Sequence, residues 1–193
     1  MHALFFEVRP HPGHLEHYFA HVDRLRPVLA RHTGLTFLDR YTARDDAAVL
    51  LSHQLWESED AIIRWRQDAT HRRSQEAGRR VHFEDYRIRV GARVLHHTPE
   101  AGLRAPDAGA AAMPHVVAVY ATAVAAHPGL SWFDSVNHPG RHVALASVAD
   151  RSAARALLET ATAAPALSGA ITEAAAYAIR RDYTLHDRAQ APR

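Results

Sequence analysis

Histidine and arginine provide most of the side chains in this sequence that could move protons or bind anions. The chain has 16 histidines, and all 23 of its basic residues are arginine. It has no cysteine, which excludes disulfides, thiol catalysis and cysteine-ligated metals. The histidines show no HExxH or similar ligand spacing. The sequence therefore indicates no metal site.

The charge pattern and the hydropathy indicate which partners and which location to expect for the protein. The net charge is +2, and the arginines are interleaved with acids, as between Arg40 and Asp46, whereas a nucleic-acid partner needs a basic stripe. No apolar run approaches the ~20 residues that cross a bilayer. Met1 leads directly into the strand-like residues 4–8, without a targeting signal. We expect a cytoplasmic protein with no nucleic-acid or membrane partner.

Hydrophobic periodicity predicts alternating strands and helices in the first half. The first helix has one apolar face, with apolar residues three or four positions apart: Leu15, Tyr18, Phe19, Val22, Leu25 and Leu29. Gly34 is placed to end that helix, and Ser58 and Asp68 are placed to cap the next two. The order is β-α-β-β-α-β, the ferredoxin-like arrangement, with strands at residues 3–9, 35–42, 49–56 and 81–95.

The remainder of the chain predicts a linker and a shortened repeat. Residues 96–114 combine three prolines with Gly109 and a run of alanines, which is typical of a linker. Residues 129–134 (GLSWFD) then resemble residues 34–39 (GLTFLD) at an offset of 95. Only four residues separate Val124 from Gly129, so no long first helix fits there. We expect a complete domain at 1–95 and a shortened one at 115–193.

A series of motifs in residues 3–95 resembles the antibiotic biosynthesis monooxygenase family. The motifs are, in order, FEVRP from Phe6, LRP from Leu25, WESEDA from Trp56, WR at Trp65, HR at His71 with Gln75, GR at Gly78, and DYRIRV from Asp85. They are specific in combination. The second half matches more weakly, through residues 134–147, RDY at Arg181 and DR at Asp187.

The resemblance implies an α+β fold in which two antiparallel sheets pack face to face to close a barrel, as in dimeric α+β barrel proteins. Two chains usually supply the two sheets. Here the two ferredoxin-like halves are expected to supply both from one chain, with the linker on the outside. Pairing of two such chains into a homodimer is left open. The ligand is expected in the cleft between helices and sheet.

The resemblance also implies a reaction. Cofactor-free members of this family oxidise aromatic, polyketide-like molecules with dioxygen, converting a phenol or anthrone into a quinone. The deprotonated substrate is electron-rich enough to pass an electron to dioxygen, so no cofactor is expected. The protein must supply an apolar cavity with an aromatic wall, a base, and donors for the oxyanion. The expected partners are a small aromatic substrate and dioxygen.

Seven residues are candidates for these roles. The catalytic candidates, as base or oxyanion donor, are His53, His71 and Arg72. The substrate-binding candidates are aromatic or amide side chains: Trp65, Tyr86, Trp132 and Asn137. Each also has a structural interpretation, as a core, hydrogen-bonded or solvated side chain.

Two other functions are consistent with the same resemblance. One is a non-catalytic protein that binds a small molecule or has a regulatory role. The other is haem degradation, which in this family uses an asparagine on the first strand, a helix tryptophan and a histidine that ligates iron. The chain has Trp65, but Glu7 stands near the asparagine position and Gln75 falls at the iron-ligand position. Glutamine is a poor haem ligand, so we expect no haem.

Overall fold

The structure is a computed structural model of the 193-residue chain, and it describes residues 1–105 and 112–192. The elements of the first half are β1 (His2–Pro10), α1 (Leu15–Leu29), β2 (Leu35–Ala43), β3 (Leu50–Trp56), α2 (Glu59–Gln67), α3 (Ala69–Ala77) and β4 (Phe83–Thr98). One π-helical turn, Gly78–His82, joins α3 to β4. The remaining strands and the remaining α-helix are β5 (Gly102–Arg104), β6 (His115–Ala121), β7 (Ser131–Ser135), β8 (His142–Val148), α4 (Arg151–Ala163) and β9 (Ile171–Thr184).

Eight antiparallel strands form a closed barrel. Their order is β1, β3, β2, β7, β8, β6, β9 and β4, and β4 pairs with β1 to complete the ring. The ninth strand, β5, pairs with the end of β4. The expected α+β fold, in which two ferredoxin-like halves of one chain form a barrel, is confirmed.

Two seams join the halves. At one seam β2 pairs with β7, and Arg44 binds both carboxylate oxygens of Asp134, at 2.8 and 2.7 Å. At the other seam β4 pairs with β9 from residue 87 to residue 97. This longer seam is irregular at Gly91, where a Cβ atom would lie 2.5 Å from the carbonyl oxygen of Ala178. Glycine therefore permits the close approach of the two backbones.

Alternation along each strand sends one set of side chains into the barrel and the other toward the helices. On β1, Ala3 and Phe5 belong to the interior core, whereas Leu4 and Phe6 pack beneath the helices. β3 is buried at all seven positions because it lies between these two layers. The interior core draws on both halves and includes Tyr41, Leu51, Phe133, Leu145 and Tyr177.

The two halves cover the outer face of the barrel differently. Three helices, α1 to α3, accompany the first half, and α4 covers the second through Ala154, Leu158 and Ala161. Residues 122–130, between β6 and β7, contain no helix. Short segments fill the space instead, with side chains that pack on the same cluster: Leu103, Met113, Val124, Ala125 and Leu130. The outer face of the second half is therefore covered, although the second half has no counterpart of α1.

The first strand of the second half does not pair with its neighbour along the chain. β6 pairs antiparallel with β8 and β9, as β1 pairs with β3 and β4. Because β7 also pairs antiparallel with β8, residues 122–130 connect two parallel strands without a helix. Within the segment 96–114, interpreted from sequence as a linker, residues 96–98 complete β4 and residues 102–104 form β5. Residues 106–111 lie outside the described part of the chain.

Candidate active site

A cleft of about 440 Å³ lies between α1–α3 and the outer sheet face of the first half. Its walls are mostly apolar and include Leu4, Phe6, Tyr18, Val22, Leu25 and Ile62. The sheet contributes the helix-facing positions of β1, and α1 contributes the apolar face that its periodicity predicts. Such a cavity suits a small, largely apolar molecule that is withdrawn from water.

Side-chain caps fix the two helices that hold Trp65 and His71. Ser58 accepts a hydrogen bond from the backbone N–H of Ala61 at 3.2 Å and begins α2. Asp68 accepts hydrogen bonds from two backbone N–H groups, at 2.8 and 3.0 Å, and begins α3. Both predicted caps are confirmed. The break at Asp68 brings residues six positions apart into contact.

His71 lies against the indole ring of Trp65 in the wall of the cleft. The two ring centroids are 3.9 Å apart, and the ring planes differ by 17°. Nδ1 of His71 lies 2.9 Å from the carbonyl oxygen of Trp65, which can only accept, so Nδ1 carries the hydrogen and Nε2 keeps its lone pair. Burial outweighs this hydrogen bond and lowers the pKa of His71 to about 4. His71 is therefore neutral near pH 7 and can accept a proton.

Tyr86 and Asn137 also line the cleft. Tyr86, on β4, is buried, and its hydroxyl accepts a hydrogen bond from Arg188. Asn137 lies between β7 and β8, and its Nδ2 donates to Asp39 at 2.9 Å. The cleft thus brings together four of the seven sequence candidates: Trp65, His71, Tyr86 and Asn137. One of the four comes from the second half.

His53 lies on the other face of the same sheet. Its neighbours Ser52 and Gln54 line the cleft, and alternation turns His53 into the barrel, where it is fully buried. Nδ1 donates to the carbonyl oxygen of Leu4 at 3.2 Å, and Nε2 accepts from the hydroxyl of Tyr120 at 2.5 Å. Burial lowers the pKa of His53 to about 4. Both ring nitrogens are therefore occupied inside the barrel, away from the cleft.

Arg72 and Trp132 also lie away from the cleft. Arg72 is exposed on α3 and borders a second pocket, which shares Arg66, Gln75 and Arg79 with the cleft. Trp132 is buried beneath the outer face of the second half, and its Nε1 donates to the carbonyl oxygen of Ala125 at 2.8 Å. Neither side chain lines the cleft.

Glu7 and Gln75, the two positions compared with the haem-degrading members, each bind another group of this protein. Glu7 pairs with Arg89, which is buried, and Ser147 also accepts a hydrogen bond from this arginine at 2.6 Å. Gln75 lines the cleft, and its Nε2 donates to the carbonyl oxygen of Arg66 at 3.1 Å. The first-strand acid is thus engaged in an ion pair, and the backbone of α2 holds the glutamine amide.

Six arginines, among them Arg66, Arg79 and Arg188, line the cleft together with Tyr183, although the sequence analysis did not select them. Arg66 lies near the end of α2, Arg79 lies in the π-helical turn, and Arg188 follows β9. Tyr183, on β9, lies in the same wall. A sequence signal existed, because the Asp-Tyr pair that contains Tyr86 recurs at Tyr183. The second half therefore completes a cleft that lies on the first.

Within residues 1–105 and 112–192, no group of three or more histidine, aspartate or glutamate side chains is arranged to hold a metal ion. No helix in this part of the chain is both long enough and apolar enough to cross a membrane.

The fold and the cleft define a class of protein, an α+β barrel with a small-molecule cleft beneath the helices of one half. Residues 1–77 match the family model described as antibiotic biosynthesis monooxygenase. Residues 1–77 are thus similar to this family.

One relative matches about half of the chain. The chain is 40% identical over 91 residues to the jasmonate monooxygenase ABM of Pyricularia oryzae (strain 70-15). The match covers 47% of this chain and 42% of that protein. The chain thus spans less than half the length of this relative.

Solved structures resemble the chain over one half or over its full length. Rv0793 from Mycobacterium tuberculosis matches with a TM-score of 0.43 and 16% identity, over 47% of this chain and 92% of that one. An anthrone oxidase-like protein matches with a TM-score of 0.43 and 10% identity, over 100% of this chain and 96% of that one.

Proposed function

We propose that this protein is a cofactor-independent monooxygenase that oxidises an aromatic, polyketide-like small molecule with dioxygen. The observation that carries the proposal is the pair of Trp65 and His71, an aromatic face beside a neutral imidazole in the wall of an apolar cleft. The match of residues 1–77 to the antibiotic biosynthesis monooxygenase family model supports oxidation by dioxygen as the reaction class. The relative named jasmonate monooxygenase supports a small organic substrate.

His71 acts as the base in the proposed reaction. The substrate lies against Trp65 and gives its acidic proton to Nε2 of His71. The resulting anion passes an electron to dioxygen, and the two radicals combine to form the new carbon–oxygen bond. Overall the substrate loses two hydrogen atoms and gains one oxygen atom, and the second oxygen atom leaves as water. The substrate therefore supplies all the electrons, and no external reductant is required.

The pKa of His71 has to rise when the substrate binds. In the free protein, burial holds this pKa at about 4, and the nearby Arg66 also lowers it. An anion beside the ring would favour the imidazolium, since opposite charges a few ångströms apart stabilise each other. His71 therefore becomes an effective base as the substrate anion forms next to it.

The alternative function is binding of a small molecule without oxidation. The low pKa of free His71 favours this alternative, because a weak base takes a proton from a phenol at a cost in free energy. The two functions share the cleft and differ in whether dioxygen is consumed.

Oxygen uptake with anthrone as the probe separates these two functions. The protein is incubated with anthrone under ¹⁸O₂, and both oxygen consumption and the mass of the anthraquinone are measured. We expect one labelled oxygen atom per product and a loss of rate of about 100-fold in His71→Gln. Arg73→Gln, an exposed change on the same helix, is the control and should keep the rate. Anthrone binding without uptake above the uncatalysed rate would instead identify a binding protein.

A further inference from the structure

We propose that the cleft takes an apolar molecule with a carboxylate group, and that Arg66, Arg79 and Arg188 bind this carboxylate. The assignment rests on the proposed function of the cleft and specifies the class of its substrate. The three arginines come from α2, from the π-helical turn and from the tail beyond β9, and all three line the cleft. Each is half-buried, so its charge is partly withdrawn from water.

Two tyrosines hold two of these arginines in place. Nη1 of Arg66 donates to the hydroxyl of Tyr183 at 2.9 Å, and its Nε donates to the carbonyl oxygen of Pro192 at 3.3 Å. Arg188 donates to the hydroxyl of Tyr86 and lies 5.9 Å from the ring centroid of Tyr183. Since each tyrosine oxygen accepts from an arginine, its own O–H hydrogen can turn toward an anion. The cluster thus offers both guanidinium and hydroxyl donors.

No acidic side chain among the described residues that line the cleft forms an ion pair with this cluster. Among the described residues that line the cleft, Glu59 is the one carboxylate, and it binds Arg181 at 2.6 Å. Burial of Arg66 lowers its pKa, and the nearby charges of Arg188 and Arg79 lower it further. Like charges held together out of water repel each other, and an anionic ligand would supply the counter-charge.

The surroundings of the cluster specify the rest of the ligand. Apolar side chains, including Phe83 and Ile88, continue the cleft wall beside Tyr86. A guanidinium group presents parallel N–H donors that match the two oxygens of a carboxylate. A molecule with an apolar body and a carboxylate at one end satisfies both parts of the wall, whereas a neutral molecule leaves the cluster uncompensated.

Calorimetric titration with a matched pair of probes tests this assignment in the full-length protein. The probes are 1-naphthylacetate and its neutral amide, which share an apolar body and differ in charge. We expect the acid to bind about tenfold more tightly near pH 7 at low salt, and less selectively at high salt. Arg79→Gln should remove most of this preference and leave the affinity for the amide within about twofold.

Two features of the chain make the titration decisive. Arg79 has no hydrogen bond or ion pair with any residue in 1–105 or 112–192, so its replacement breaks no such contact there, and circular dichroism checks that the variant is folded. Arg64→Gln is the matched control, because Arg64 is exposed on α2 two positions before Arg66. The control should bind both probes as the unchanged protein does.

Three outcomes would overturn the carboxylate assignment. These are equal affinity for the acid and the amide, an equal loss in Arg64→Gln, and tighter binding of 1-naphthyl phosphate than of 1-naphthylacetate. The result is independent of turnover. Charge-selective binding without oxygen uptake rejects the proposed oxidation alone, and oxygen uptake without charge selectivity rejects the carboxylate alone.

Discussion

Trp65 and His71 lie with their rings face to face, although α2 ends and α3 begins between them. The contact depends on Asp68, which caps α3 and turns the chain. The carbonyl oxygen of Trp65 then fixes which nitrogen of His71 carries the hydrogen. One tight turn therefore sets the aromatic wall, the position of the base and its tautomer together.

The decline of turnover on the acidic side of the pH profile should occur at an unusually low pH. Because burial lowers the pKa of free His71 to about 4, kcat/KM should stay constant as the pH falls to about 5 and decline below it. An ordinary histidine would give a decline that begins near pH 6.5. Circular dichroism at each pH confirms that the protein remains folded. A limb near pH 6.5 would assign the base to another group.

Trp65→Ala should weaken ligand binding or turnover far more than Trp132→Ala. Trp65 lines the cleft, whereas Trp132 is packed under the outer face of the second half. Both changes remove a buried aromatic side chain, so both should lower the free energy of unfolding by about 3 kcal/mol or more. Urea denaturation measures that loss, and turnover is compared only under conditions in which both variants are folded. The reverse ranking would place the site in the second half.

Acid should destabilise the protein through His53. Its folded pKa of about 4 lies below the unfolded value of 6.5, so the unfolded chain binds more protons between these pH values. The free energy of unfolding should fall as the pH drops from about 6.5 to about 4, by about 2–3 kcal/mol from this residue.

His53→Gln provides the control for this acid effect. A glutamine can still donate to Leu4 and accept from Tyr120, but it does not titrate. Denaturant titrations near pH 7 and pH 4.5 should show a smaller pH dependence in the variant. If the variant keeps the full dependence, other buried groups account for the acid effect.

Cleavage of the connection between the halves should leave them associated. A protease site in place of residues 106–111 would cut the chain there. The two seams and the shared interior core should hold the fragments together, because separation would expose apolar side chains such as Phe5 and Phe133 at ~25 cal/mol per Å². Size-exclusion chromatography should show co-elution. Separate elution would mean that each half is stable alone or pairs with another copy.

Purified protein should show no haem Soret band and should bind added haemin weakly. The side-chain amide of Gln75 is held by the carbonyl oxygen of Arg66, and glutamine is a poor iron ligand. Absorbance titration with haemin is the measurement. A stoichiometric complex with a histidine-ligated spectrum, lost in His71→Gln, would show that His71 ligates iron.

The sequence predicted the elements of the first half well because the signals for them are local. The apolar face of α1, the caps at Ser58 and Asp68, and the order of strands and helices along the chain all depend on residues a few positions apart. The repeat of residues 34–39 at 129–134 also predicted a second, related half, and the family resemblance then implied that one chain supplies both sheets. Local pattern and family resemblance together were enough for the fold.

The site was less accessible to sequence reasoning because it depends on register and on distant parts of the chain. His53 and Gln54 are neighbours in β3, and only the assembled sheet decides that Gln54 meets the cleft and His53 does not. Arg188 meets Tyr86, 102 positions earlier, because β9 pairs with β4. No periodicity within either half could predict that contact.

The closure of the barrel within one chain has a consequence for how the site can evolve. A barrel built from two identical chains carries every substitution twice, in two equivalent clefts. Here α4 has alanine and leucine where α2 has Trp65. Short segments cover the outer sheet face of the second half. A mutation at Arg188 or Asn137 alters one wall of the first-half cleft and has no obligatory counterpart. The second half is thus free to specialise the cleft of the first under separate selection.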